Sequence, residues 1–356
     1  MFEFPIIVDI FFVSFLVACL IQFLLLFTIQ GRVMARCKKK NKEGDMPDDV
    51  KPGVSVIVYA HNQGEALRRN LPSLLDNDYP NFEVIVVDDT SCDNTQDVLT
   101  IMEQRNDNIF HTKLTDKVRT MSHRKLALLL GVKAAHNEII LTTKAQCVPV
   151  SKIWISKMAR NFTSKVDFVI GPMVFEGRLG LNSRFCQYDL FQRMVNMFGV
   201  TMSYCAFSGW SDNMAFRKHL LFEDNNKAFS GHLHIHPGED DLFINAVAKH
   251  ARVAVECCHE SMVVRQETPL RPAWKKDRQN RAFTAKFSKL FPKIIKLTDY
   301  LTRYLCVGLG LALIIWCVVH LMWIPLSIVG ILLLLRIVLV SLFSYFTAKE
   351  LRIHRY

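Results

Sequence analysis

Two short apolar runs near the amino terminus each end in polar side chains that could bind a ligand. The first run leads into Tyr59 and Asn62, and the second ends on Asp88 and Asp89. Leucines at helical spacing lie between the runs, so the stretch predicts a strand, a helix and a second strand parallel to the first. Ligands of such sheets bind at the carboxyl ends of the strands. We therefore expect these four polar residues to lie at a nucleotide site.

Strand and helix patterns continue to alternate beyond this unit. The alternation indicates an α/β domain with a mostly parallel sheet and helices on both faces. The predicted strands are residues 54–58, 84–87, 109–113, 138–142 and 167–176, with two more within 252–264. The predicted helices are residues 67–75, 95–104, 122–135 (with Ser122 as a cap), 154–162, 182–202 and 239–250.

Composition sets the class of protein. The 356 residues leave room for one ordinary domain plus membrane segments, and half of the residues are hydrophobic, concentrated at the two ends. The formal charge is +11, but no nucleic-acid-binding motif accompanies it, so we exclude a nucleic-acid partner. The basic residues flank the apolar ends, which suits an anionic membrane surface. None of the ten cysteines forms a C-x-x-C pair, which indicates reduced thiols in a cytosolic domain.

Both ends of the chain predict membrane spans. Residues 6–29 are apolar over more than the about 20 residues that cross a bilayer. The basic segment 32–40 follows, which favours a cytoplasmic carboxyl flank over a cleaved signal peptide. Residues 301–346 are too long for one span, and Pro325 predicts a division into spans near 303–323 and 326–346, with a re-entrant hairpin as the alternative. Arg336 should then face a helix partner or reach the interface.

Residues 54–95 resemble the start of a family 2 glycosyltransferase domain of the GT-A fold. The resemblance rests on an apolar strand, an Asn-containing loop, the letters SLL and YP, and EVIVVDD followed by Ser, Asp and Thr at fixed offsets. It extends to about Arg281. It implies an α/β GT-A domain, a nucleotide-sugar donor (a UDP-sugar is expected) and inversion at the anomeric carbon. Lys125 joins Tyr59, Asn62, Asp88 and Asp89 as a predicted donor-site residue, with the two aspartates on the uracil and ribose.

The resemblance departs from the family after the strand at residues 138–142. Family members usually carry Asp-x-Asp there, and the paired carboxylates hold Mg²⁺ or Mn²⁺ against the donor diphosphate. Lys144 and Gln146 occupy the two positions here. Three interpretations stay open. Lys144 contacts phosphate in place of the cation, or metal binding and catalysis are lost, or the alignment of this segment with the Asp-x-Asp motif is shifted. We assign both residues to the donor site and leave the metal site unassigned.

Residues 208–217 resemble the acceptor loop of the family. Gly209, Trp210 and Asn213 are therefore predicted acceptor residues, because glycine permits close backbone approach. Trp210 either stacks on a sugar ring or is a buried structural residue.

Arg281 matches the Arg of the Gln-x-x-Arg-Trp motif of processive members, but Arg278 and Ala282 replace the other two positions. That replacement argues against processive polymer synthesis.

Glu239, Asp240 and Asp241 open a predicted helix and resemble the Glu-Asp motif of the family. The Asp of that motif is the general base that acts on the acceptor hydroxyl. We predict Asp240 as the base, with Asp241 as the alternative and Glu239 as a further catalytic candidate, although a carboxylate at a helix start also serves as a cap.

Just upstream, three histidines alternate along the chain, and they are either metal ligands or polar loop residues. They are His232, His234 and His236.

The predicted organisation follows from these assignments. It comprises a transmembrane helix (1–30), a basic cytoplasmic linker (31–53), the GT-A domain (54–283, with a nucleotide half to residue 150 and an acceptor half from 151), an amphipathic interfacial segment (284–300), two transmembrane helices (301–347) and a basic cytoplasmic tail (348–356). We expect an inner- or plasma-membrane enzyme with a cytoplasmic domain that glycosylates a lipid-linked or membrane-proximal acceptor in envelope glycan synthesis. The alternative is a non-catalytic binding or scaffold subunit of a polysaccharide assembly.

Overall fold

A computed structural model gives the structure of the chain. It describes residues 6–47, 50–115, 122–176, 180–222, 235, 238–247, 252–267 and 269–353. The side chains of Glu239 and Val247 and the three histidines of the 232–236 segment lie outside the described residues.

A mostly parallel sheet forms the centre of the domain, as the alternating pattern predicted. Numbered in chain order, the strands are β1 (Val54–Ala60), β2 (Phe82–Asp88), β3 (Ile109–Lys113), β4 (Ile139–Lys144), β5 (Cys147–Pro149), β6 (Phe168–Ile170), β7 (Met173–Phe175), β8 (Met214–Arg217), β9 (Val253–Val255) and β10 (Val263–Arg265). In the described residues the large sheet has the order β3-β2-β1-β4-β8-β6-β9. Strands β3, β2, β1 and β4 are parallel, and β8 runs antiparallel to both of its neighbours.

Helices cover both faces of this sheet. In chain order they are α3 (Gly64–Leu75), α4 (Thr95–Arg105), α5 (His123–Ala134), α6 (Trp154–Ala159), α7 (Leu181–Ser203), α8 (Glu239–Val247) and α9 (Arg271–Thr284), after α1 (Ile6–Leu25) and α2 (Arg32–Lys40) at the amino end. Along β2, Val84 and Val86 pack into one apolar cluster and Ile85 and Val87 into the other. Successive side chains of a strand point to opposite faces, so a strand covered on both faces is apolar throughout.

Residues 167–176 were predicted as one strand, and that prediction is wrong. The structure has two short strands, β6 and β7, which pair in different sheets. Gly171 and Pro172 lie between them, and Pro172 has no amide hydrogen to continue the ladder. Strand β7 instead joins a small sheet of order β5-β10-β7, which brings Arg265 at the end of β10 beside the strand ends of the large sheet.

Among the described residues, three helices are long and apolar enough to cross a membrane: Ile6–Lys40, Leu290–Val319 and Trp323–Glu350. We call them the membrane-length helices, and label the last two α10 and α11. The first is continuous from α1 through a π-helical turn, Leu26–Gly31, into α2. The predicted division at Pro325 is wrong, because the break comes at His320–Met322 and Leu321 has a φ of 52°. Pro325 lies in the first turn of α11, where its missing N–H costs no helical hydrogen bond.

The predicted interfacial segment 284–300 does not form an element of its own. Helix α10 begins at Leu290, so most of this segment is the first part of a membrane-length helix. The rest belongs to the end of α9 and the turn Ala285–Phe287.

A polar network joins the three membrane-length helices, and it includes the predicted partner of Arg336. Gln22 accepts hydrogen bonds from the Arg336 Nε and Nη2 atoms at 3.3 and 3.1 Å. Its amide nitrogen donates to Thr302 Oγ1 at 2.7 Å and to the Asp299 carbonyl oxygen at 3.1 Å. The prediction that Arg336 faces a helix partner is therefore confirmed.

We expect Gln22→Leu to destabilise the helix assembly by about 1–2 kcal/mol, since hydrogen bonds between membrane helices contribute at most about that much. Thermal unfolding in detergent measures the change. Thr28→Val on the same helix is the matched control, because Thr28 donates only to carbonyls of its own helix. The double variant Gln22→Leu/Arg336→Leu should recover part of the loss, because it leaves no uncompensated guanidinium. Equal losses in Gln22→Leu and Thr28→Val would contradict the network.

Candidate active site

A cavity of about 740 Å³ lies over the carboxyl ends of β1 and β4. Its walls come from these strands, the start of α5, strand β7, helix α7, the 208–212 loop, the start of α8, the end of β10 and helix α9. Eight predicted site residues line it: Tyr59, Lys144, Gln146, Gly209, Trp210, Asp240, Asp241 and Arg281. The fold therefore brings together residues that are more than two hundred positions apart in the chain.

Asp88, the last residue of β2, and Asp89, the residue after it, lie behind the wall of this cavity. Asp89 accepts a hydrogen bond from the Tyr59 hydroxyl at 2.6 Å, and its other oxygen pairs with His123 Nδ1 at 2.7 Å. Burial and this bond to Asp89 raise the pKa of Tyr59 above its ordinary value, so the phenol keeps its proton. Asp88 is buried, and its Oδ2 has no hydrogen-bond partner among the described residues. Asp88 therefore has an open acceptor, and Asp89 orients two residues that line the cavity.

Asn62 and Lys125, also predicted donor-site residues, contact other parts of the protein. Asn62 adopts a φ of 52° and joins two loops: its backbone N–H donates to Ser91 Oγ and its side-chain Oδ1 accepts from the Cys92 backbone N–H, both at 2.8 Å. Lys125 is buried and donates to the Ile235 carbonyl oxygen at 2.8 Å. Neither residue lines the cavity, so both are candidates for holding the loops around it.

Lys144 lies in an ion cluster that the sequence analysis did not identify. Its Nζ is 3.2 Å from Asp212 Oδ2, and Asp212 Oδ1 accepts hydrogen bonds from the Arg265 guanidinium. Burial by itself would raise the pKa of Asp212, but Arg265 and Lys144 outweigh burial and hold it well below its usual range. The carboxylate is thus charged at neutral pH. Gln146 points away to the exposed Glu267, with Nε2 3.2 Å from Oε2.

The two aspartates at the start of α8, Asp240 and Asp241, have different surroundings. Asp241 accepts from Ser208 Oγ at 2.6 Å and, through its other oxygen, from Thr284 Oγ1 at 2.8 Å. Asp240 instead borders both the main cavity and a small recess formed with Tyr59 and Lys144. Asp240 is therefore the carboxylate that faces the donor end of the cavity.

The residues predicted to bind the acceptor are largely used for packing. Trp210 is buried and donates its indole N–H to the Gly171 carbonyl at 2.8 Å. Asn213 is fully buried and donates to the Pro172 and Ser261 carbonyls, so it drops out of the candidate acceptor set. A Cβ on Gly209 would lie 2.1 Å from Ile244 Cδ1, so this glycine lets α8 pack closely against the loop.

A second cavity, of about 350 Å³, adjoins the first on the side of the membrane-length helices. Arg193, Asp241, Arg281 and Thr284 border both cavities. Arg281 is held between Asp189 and Asp277, with N–O distances of 3.5 and 3.3 Å. The remaining lining of the second cavity mixes apolar side chains with cations, and includes Ile29, Val200, Ile295, Lys296 and Arg303.

Comparison with known proteins agrees with this geometry. The model of the family described as "Glycosyl transferase family 2" matches residues 55–210, which contain β1 to β4 and the loop up to Trp210. The chain carries a family 2 glycosyltransferase domain. Over 78 residues the chain is 35% identical to a protein of Bacillus subtilis (strain 168) described as "Putative teichuronic acid biosynthesis glycosyltransferase TuaG". The match spans 22% of this chain and 31% of TuaG, less than a third of that relative's length.

A solved structure extends the fold comparison beyond this domain. The mannosyltransferase PcManGT from Pyrobaculum calidifontis, solved in complex with GDP-Man and Mn²⁺, superposes with a TM-score of 0.52 and 17% sequence identity. The superposition covers 95% of this chain and 98% of PcManGT. The predicted fold class, a GT-A α/β domain with membrane-length helices at both ends, is therefore confirmed.

Proposed function

We propose that this protein is an inverting glycosyltransferase that moves a sugar from a nucleotide-sugar to a lipid-linked acceptor in envelope glycan synthesis. One observation carries the proposal. The cavity at the strand ends of the glycosyltransferase domain continues, through residues shared with the second cavity, to the membrane-length helices. A donor bound at the strand ends and a lipid-borne acceptor would meet where the two cavities join, beside Asp240 and Asp241.

The donor end suits a nucleoside diphosphate sugar. Tyr59 lines this end of the cavity and is held by Asp89, and Arg124 lies over its ring, 5.7 Å from the ring centroid, so an aromatic ring and a cation face the nucleotide site. Lys144 supplies positive charge where the strand ends, as a diphosphate requires. A UDP-sugar is the donor we propose to test first.

The proposed reaction uses one carboxylate as the base and a single displacement at the anomeric carbon. Asp240 takes the proton of an acceptor hydroxyl while that oxygen attacks the anomeric carbon of the sugar from the face opposite the diphosphate. The new carbon–oxygen bond forms as the bond to the diphosphate oxygen breaks, and the electron pair leaves with the nucleoside diphosphate. Because there is a single displacement, the anomeric configuration inverts.

The acceptor end suits a lipid carrier with an anionic headgroup. Arg193, Lys296 and Arg303 place positive charge around the second cavity, which Asp241 and Asp299 offset in part, while Ile29 and Ile295 supply apolar contact. Lys296 packs against Phe207, with its Nζ 3.6 Å from the ring centroid, so its stem and ammonium are both held. Alternation of cations and apolar side chains fits a phosphate attached to a hydrocarbon chain.

The direct test measures nucleoside diphosphate release. The purified protein in lipid nanodiscs is incubated with single UDP- and GDP-sugars, with and without a lipid extract from envelope membranes. We expect release of UDP to depend on the extract, because the acceptor is a lipid. Arg303→Glu should raise the KM for the lipid fraction and leave donor binding unchanged. Absence of turnover with every donor, together with a normal envelope in cells that carry Asp240→Asn, would favour the non-catalytic scaffold instead.

A further inference from the structure

The donor site lacks the carboxylates with which a divalent cation is ordinarily held. The two positions after β4 carry Lys144 and Gln146, and the amide of Gln146 is turned to Glu267 at the exposed rim. Among the described residues, no group of three or more His, Cys, Asp or Glu side chains is arranged to hold a metal ion. Hard divalent cations require several oxygen ligands.

The carboxylate that pairs with Lys144 is already neutralised. Asp212 is almost fully buried, and both of its oxygens are engaged: Oδ2 by Lys144 at 3.2 Å, and Oδ1 by Arg265 Nε at 2.9 Å and by the Cys147 thiol at 3.3 Å. A divalent cation bound to Asp212 would have to displace the Lys144 ammonium and the Arg265 guanidinium, or lie in direct contact with them. Like charges at such separations repel strongly inside a protein. Mg²⁺ or Mn²⁺ therefore does not fit the described residues of this site.

The same cluster holds an ammonium group at the place where the cation would act. Strand pairing puts Lys144 beside Tyr59, and both line the main cavity. An ammonium has several N–H donors, and among the described residues it is engaged by Asp212 alone. The Arg265–Asp212 pair thus fixes the ammonium at the cavity wall, with donors left for a ligand.

We propose that the donor diphosphate binds directly to Lys144, without a divalent cation, and that the buried Asp212–Arg265 pair positions the lysine for it. This inference rests on the proposed function and names how that site holds its substrate. Lysine is a compact point charge suited to phosphate. The two positive charges of Lys144 and Arg265 against the one of Asp212 leave the cluster cationic, which a dianionic diphosphate requires.

The test measures nucleotide binding rather than turnover. UDP and GDP are titrated into the full-length protein in detergent by calorimetry, once in EDTA and once in Mn²⁺. We expect the same Kd in both solutions. We expect Lys144→Met to raise the Kd by about 10-fold or more, since a hydrogen bond to a charged group is lost. Lys152→Met is the matched control, because that exposed lysine pairs with Asp76 on the surface.

A second variant is designed to convert the lysine site into a metal-binding site. Lys144→Asp/Gln146→Asp restores two carboxylates, and we expect its UDP binding to become dependent on Mn²⁺. Mn²⁺ binding followed by electron paramagnetic resonance should be absent in the wild type and present in this double variant.

The outcomes distinguish this inference from the proposed function. UDP or GDP binding to the wild type that requires Mn²⁺ and disappears in EDTA would overturn the metal-free site while supporting a nucleotide-sugar enzyme. No binding of either nucleotide in any solution would overturn both. An unchanged Kd in Lys144→Met, with an unchanged melting temperature, would overturn the direct contact between Lys144 and the diphosphate.

Discussion

Asp240→Asn is expected to lower turnover by about 10²- to 10⁴-fold, the range that general acid–base catalysis contributes. The asparagine side chain keeps the shape of the aspartate but cannot accept the proton of the acceptor hydroxyl. Asp240 borders the recess with Tyr59 and Lys144, so the change is confined to the cavity wall. Nucleoside diphosphate release measures turnover, and the Kd for UDP, which should stay unchanged, shows that the donor still binds.

Asp241→Asn is the matched control at the next position. Asp241 accepts from Ser208 and Thr284, so its charge stabilises the contact between α8, the acceptor loop and α9. We expect this variant to lose about 1–3 kcal/mol of stability, the cost of weakening hydrogen bonds to a half-buried charge, and to keep most of its turnover. The reverse pattern, with turnover lost in Asp241→Asn and kept in Asp240→Asn, would assign the base to Asp241.

Glu256→Ala is expected to destabilise the protein by about 3–5 kcal/mol, because it leaves a buried arginine without its counter-ion. Glu256 is fully buried at the end of β9. Its two oxygens accept from Arg160 Nε and Nη2, each at 3.1 Å, and one also accepts the Cys257 and Cys258 amide hydrogens at 2.9 Å. Arg160 in turn donates to the Lys40 carbonyl at 3.0 Å. The pair therefore ties the first membrane-length helix to the domain.

Thermal unfolding in detergent should show a fall in melting temperature on the order of 10 °C for Glu256→Ala. Glu138→Ala is the control, because Glu138 pairs with Arg217 at 2.7 Å but is 63% exposed. Such surface pairs contribute about 0–1 kcal/mol. Similar shifts in the two variants would mean that the buried pair adds nothing beyond an ordinary ion pair, and that the helix is held to the domain by apolar packing.

Features that depend on neighbouring residues could be predicted from the sequence. The strand that ends on Asp88 and the helix that begins after Ser122 each have a local pattern of apolar residues, and the structure has them within a few residues of the predicted bounds. The three membrane-length helices were also predicted, but the first continues to Lys40 and the second begins at Leu290, each more than ten residues beyond its predicted span. The division at Pro325 failed because proline is also tolerated in the first turn of a helix. The strand over 167–176 failed because the sequence does not show that its two halves pair in different sheets.

By itself, the sequence determined the parallel α/β core, the resemblance to family 2 and the presence of acids near the start of α8, since each follows from short-range pattern. Only the tertiary structure decided which acid faces the donor end of the cavity, because Ser208 and Thr284, which engage Asp241, are 33 and 43 residues away. It also decided that Lys144 meets Asp212 and that Asp212 meets Arg265, across two sheets. Contacts between residues so far apart in the chain depend on the order of the strands in the sheets. Local sequence patterns do not determine that order.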